Sequence, residues 1–162
     1  MAINTQLKSL GCFLAAVIYL GSSASVTAAP CKLSDITDNY TKGLSHVKAK
    51  NYNRALVRWV PLAEAGLGPA QRQIAAMYAA GFGIEKSPVK AALWAELAFR
   101  SGDLVGRRMA REYRLKLSTE QRVSLKSQLV AWKVRSITCE KGRVKDSEIP
   151  QKLAYHVTKN KR

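Results

Sequence analysis

The sequence predicts an all-α domain of about six helices built as an α/α repeat, and three observations carry that expectation. Ala55, Leu56, Leu62, Ala63 and Gly66 reappear 36 residues on as Ala91, Ala92, Ala98, Phe99 and Gly102, and a period of roughly 20 to 50 residues marks stacked repeats. A glycine loop, Gly81-Phe82-Gly83-Ile84, separates the two copies. Apolar residues on both sides of it recur every three or four positions, the spacing of an amphipathic helix. Stacks of this kind serve as binding surfaces.

The first residues read as a targeting segment. Lys8 is followed by an apolar run from Leu10 to Leu20 and by small residues ending Val26-Thr27-Ala28-Ala29, the three parts of a cleaved secretory signal. Val26 and Ala28 fit the two recognition positions, so the expected cut follows Ala28. An uncleaved membrane anchor is the alternative, but the run falls well short of the roughly 20 apolar residues that span a bilayer. Residues 1–28 are therefore expected to be signal peptide, 29–135 the repeat domain and 136–162 a basic tail.

Removing 28 of the 162 residues leaves 134, one domain by length. Cys12 leaves with the signal, and Cys31 and Cys139 remain. Two cysteines in an exported chain read as a disulfide, here one that joins the segment before the first helix to the segment after the last. Two free thiols or an intermolecular bond are the alternatives.

Within the domain, Ile36, Tyr40, Leu44 and Val47 make one apolar face of a first helix from Ser34, with Gly43 as a close-packing point. A second helix runs from about Asn53 to Ala65 with Leu56, Val60, Leu62 and Ala63 inward, and Gly66 caps it. Pro61 is expected to kink it. The third begins near Pro69, uses Ala70, Ile74, Met77 and Tyr78, and stops at Gly81, after which Phe82 or Ile84 should plug the stack.

Ser87-Pro88 starts the fourth helix, serine as N-cap and proline in the first turn. From Ala91 to Phe99 that helix is apolar nearly all round, so it is expected at the centre of the domain. The fifth, residues 103 to 115, carries Val105, Met109 and Tyr113 on one stripe and Arg107, Arg111 and Arg114 on another. Ser118 and Gln121 form a capping box that opens a sixth, with Leu125, Leu129 and Trp132 inward and an end near Arg135.

Tyr52, Ala55-Leu56, Leu62-Ala63-Glu64-Ala65-Gly66, Ala70-Gln71, Ala76-Met77-Tyr78, the Gly81–Lys86 loop, and Ala91, Trp94, Ala98 and Gly102 together resemble the Sel1-like repeat family, related to tetratricopeptide (TPR-like) repeats. The likeness covers roughly residues 35 to 135. It implies α/α pairs of about 36 residues stacked in a right-handed superhelix, in which Ala55, Gly66, Gly81, Gly83, Ala91 and Gly102 are structural. Two departures stand out: Ser87-Pro88 replaces an acidic residue and an aromatic, and Gly106-Arg107 replaces the Ala-Gln pair in the second copy. The implied role is protein–protein interaction by an exported bacterial adaptor, with no shared catalytic residues. Cysteine-rich relatives linked to β-lactam binding or hydrolysis carry a disulfide within each repeat, which this sequence lacks, so that activity is not carried over.

Charge narrows the partner. With 27 Lys and Arg against 11 Asp and Glu the chain carries +16, and +15 after loss of Lys8, which draws it to anionic partners. Export disfavours nucleic acid and leaves acidic protein first, with anionic polysaccharide or lipid head groups as alternatives. Arg54, Arg58, Trp59, Arg72, Arg107, Arg108 and Arg111 supply the residue types that dominate interfaces and are the expected partner-binding set. No catalytic, metal or cofactor residues are expected. His46 and His156 lie apart from each other and from the cysteines, without ligand spacing. No strand pattern precedes the glycine loop and no Gly-Lys-Ser/Thr follows it, so it does not read as a phosphate cradle, and Ser87 beside Lys86 and Lys90 reads as a helix cap.

Overall fold

The computed structural model describes residues 29–140 and 143–144. The predicted signal peptide, residues 1–28, and the tail beyond Val144 lie outside the described residues. A two-residue strand, β1 (Ala29–Pro30), leads into α1 (Leu33–Lys48), α2 (Tyr52–Glu64), α3 (Gly68–Ala80), α4 (Pro88–Arg100), α5 (Leu104–Leu115) and α6 (Thr119–Ala131). Two further short strands follow, β2 (Thr138–Glu140) and β3 (Arg143–Val144).

The 36-residue period governs the elements as well as the residues. α2 and α4 both start and end 36 residues apart, and α3 and α5 start 36 apart. Gly66 and Gly102, the glycines that follow α2 and α4, share a left-handed backbone (φ 92° and 87°) that costs glycine little and other residues more. Ala55 and Ala91, the paired small residues, are both buried. Consecutive helices pack on one another from α1 to α5, and α6 returns to pack on α4. Among the described residues no helix is long and apolar enough to cross a membrane.

The core runs along α2, α3 and α4. Trp59, Leu56, Leu62 and Ile74 are its largest fully buried apolar side chains. Trp59 lies over Gly43 of α1, where an added Cβ would sit 2.7 Å from the indole Cδ1. Its Nε1–H donates to the Tyr40 carbonyl at 3.0 Å. Gly43 is thus the close-packing point between α1 and α2. Gln71 is a buried polar side chain held on both sides: its amide donates to the Ala63 carbonyl at 2.9 Å, and its Oε1 accepts from Ser101 at 3.0 Å. One residue ties α2, α3 and the end of α4.

α2 runs unbroken through Pro61, which is fully buried in the core. The proline falls in the last turn, where only the Val57 carbonyl loses its intrahelical donor. Ile84 is the buried plug of the glycine loop, while Phe82 stacks on Tyr52 with ring centroids 4.8 Å apart and stays exposed. Phe99, expected inward, is exposed. On α5 the inward residues are Gly106 and Ala110 rather than Val105, which is exposed. α6 ends at Ala131, four residues early, because Trp132 turns to an extended backbone and meets the Trp94 ring edge-on at 5.0 Å.

The chain ends are joined. β1 pairs antiparallel with β2 through Ala29–Cys139 and Pro30–Thr138, and β2 with β3 through Cys139–Val144 and Glu140–Arg143. Residues 138–140 and 143–144, which the expected boundaries assign to the basic tail, therefore pair back onto the start of the domain. Cys31 and Cys139 form a disulfide with Cα atoms 4.8 Å apart. Just before it, Arg135 fastens onto the end of α2: its N–H donates to the Glu64 carbonyl at 2.9 Å, and its guanidinium meets the Glu64 carboxylate at 3.3 Å.

Candidate functional site

The site forms where α4 ends and α5 begins. Gly102 stops α4, and Asp103 caps α5 by accepting the Gly106 N–H at 2.7 Å. Gly106 allows α5 to lie close to α4, since a Cβ there would be 2.6 Å from Ala98 Cβ. The departure from the repeat pattern at Gly106-Arg107 therefore has a packing reason. With Gly106 and Ala110 turned toward α4, helical spacing sends Arg107, Arg111 and Arg114 to the outer face, with Arg108 beside them.

These four arginines line an open groove of about 560 Å³, floored by Phe99, Leu104 and Ala110. Phe99 is 42% exposed and Leu104 78%. The Arg107 guanidinium stands 5.7 Å from the centroid of the Phe99 ring, within cation–π range. Among the described residues Glu96 is the only acidic one lining the groove, and its carboxylate is 3.7 Å from Arg114. The groove thus combines an apolar strip with an excess of positive charge. A smaller cavity of about 260 Å³ lies between Lys86, Pro88 and Tyr113.

The expected partner-binding residues do not form one patch. Arg107, Arg108 and Arg111 line the groove; Arg54, Arg58, Trp59 and Arg72 do not. Trp59 belongs to the core and has no surface to offer a partner. Arg58 donates to Asn39 Oδ1 at 2.9 Å and joins α2 to α1. Arg72 pairs with Asp103, Nε to Oδ2 3.0 Å, and so holds α3 to the start of α5. Arg54 is exposed on α2, outside the groove. Residue type alone could not separate these roles.

Leu104, Phe99, Glu96 and Arg114 are groove residues that the expected set omits. Arg114 was legible from its three-residue spacing after Arg111. Phe99 was hidden by its place in an apolar run whose other members are buried. Ser87, as expected, caps α4, its Oγ accepting the Lys90 N–H at 3.4 Å.

Asp103 fixes the start of α5, the helix that carries the groove arginines. Burial acts to raise its pKa, but the hydrogen bonds from Gly106 and Arg72 and the Arg72 charge outweigh it and hold the carboxyl below its usual range. A carboxyl depressed in the folded state adds stability above its unfolded pKa, about 3.9, and that stability is lost as pH falls through the folded value. Asp103→Asn should therefore lower the urea midpoint at neutral pH, with the gap to wild type narrowing under acid. A gap of constant size from pH 6 to pH 2 would show that the carboxylate charge contributes nothing.

Compared with family models, curated proteins and solved structures, the chain finds no match in any of the three.

Proposed function

We propose that the chain is a short, exported, non-catalytic adaptor of the Sel1-like repeat kind that binds an acidic protein partner through the α4–α5 groove. The recurrence of helix boundaries at 36 residues supports the repeat assignment. The observation that carries the function is the meeting of an apolar floor, Phe99, Leu104 and Ala110, with Arg107, Arg108 and Arg111 in one groove. Interface centres favour aromatic residues and arginine. A contact made by charge alone, as with an anionic polysaccharide, has no use for the apolar strip.

Arg107→Glu combined with Arg111→Glu should abolish capture of the native partner in a crosslinking pull-down from intact cells, because it places carboxylates against an acidic surface. Undiminished capture would overturn the proposed face. Repeating the capture across a salt series separates the partner classes. A protein interface with an apolar centre weakens modestly with salt, whereas a contact with an anionic polymer falls steeply.

A further inference from the structure

We infer that the groove seats an amphipathic helix bearing carboxylates, lying where the first helix of a next repeat would pack. The inference rests on the adaptor reading of the groove and names what the partner presents to it. A shift of 36 residues carries Arg107, Ala110, Arg111 and Arg114 of α5 onto Gln71, Ile74, Ala75 and Tyr78 of α3. All four α3 residues are buried. α4 and the turn after it cover their two ends: Lys90 lies 5.3 Å from the centroid of the Tyr78 ring, and Ser101 donates to Gln71 at 3.0 Å.

The corresponding seat on α5 is open. α6, the next helix in the chain, packs on α4 and contributes no residue to the groove. What the first repeat hides as glutamine, alanine and tyrosine is presented in the second as arginine. An apolar helix with the character of α4 would take three guanidinium groups out of water with only Glu96, beside Arg114, to offset their charge, which is costly. A helix with carboxylates facing Arg107 and Arg114 would instead form charge-assisted hydrogen bonds, bidentate where the geometry allows.

The position of α4 on α3 gives the spacing. Lys90 stands over Tyr78, the counterpart of Arg114, and Ser101 over Gln71, the counterpart of Arg107. Eleven residues separate Lys90 and Ser101, about three helical turns. The occupant therefore carries acidic residues about three turns apart on one face, with apolar residues between them to meet Phe99, Leu104 and Ala110. An acidic partner fits the groove better than a second copy of this chain, in which Lys and Arg outnumber Asp and Glu 27 to 11.

The test uses the full disulfide-bonded chain and a fluorescent peptide of residues 87–102 carrying Lys90→Glu and Ser101→Glu, read by anisotropy. The expected result is binding at least about tenfold tighter than that of the unchanged peptide or of the acidic peptide with Leu93→Pro, which cannot form the helix. Binding should also be lost in the Arg107→Glu, Arg114→Glu chain. Equal binding of the acidic peptide and its proline version would overturn the helical seat while leaving an acidic partner in place. Failure of the acidic peptide to bind would also overturn it, and the adaptor reading would then stand or fall separately on the sensitivity of native capture to Arg107 and Arg111.

Discussion

Trp59→Ala is expected to remove a large share of the domain's stability. Removing a fully buried tryptophan costs about 3–5 kcal/mol, against a total of about 5–15 kcal/mol for a domain of ordinary stability. The site cannot close over the gap easily. Gly43 faces the indole with no side chain to move inward, and the α1–α2 contact also loses the Nε1–H bond to Tyr40. Trp59→Phe, which retains a ring but not that bond, should cost less. Urea denaturation followed by circular dichroism distinguishes the two variants. A loss below about 1 kcal/mol for Trp59→Ala would contradict its place in the core. The same experiment separates packing from binding, since a surface tryptophan would weaken partner capture while leaving the urea midpoint unchanged.

Breaking the bridge with Cys31→Ser and Cys139→Ser should have an effect of similar size. The bridge closes a loop with a sequence separation of 108. In the chain-entropy model a loop on the order of 100 residues contributes up to about 4.7 kcal/mol, chiefly by restricting the unfolded chain. Reductant should reproduce the loss in the wild type and change nothing in the double variant. Hydrogen exchange should rise first at the β1–β2 pairing, which the bridge directly borders. If reduction left the urea midpoint unmoved, the bridge would make no contribution to folding stability.

Much of the helical layout was legible because its signals are local. Ser87 and Ser118 act as caps where expected, and Gly66 and Gly81 stop α2 and α3. Each depends on a few neighbouring residues and on backbone conformations that other residue types adopt only at a cost. The early end of α6 was not legible, because it depends on Trp132 meeting Trp94 across 38 positions of sequence. Arg135 could not be assigned to Glu64 either, since that contact forms only when the end of the chain folds back over α2.

The candidate site divides in the same way. The spacing of Arg107, Arg111 and Arg114 is enough to put them on one face of a helix. It could not show that Phe99 leaves the core to floor the same groove, or that Arg72 is held by Asp103 and Arg58 by Asn39. By itself the sequence determined the helices, their 36-residue period, their caps and the charge of the surface, all of which arise from short-range preferences and composition. Only the tertiary structure decided which arginines stand together, why Trp59 is core, and that α5 leaves an open seat where α3 is covered. Those outcomes depend on which faces meet, and packing between distant segments settles that.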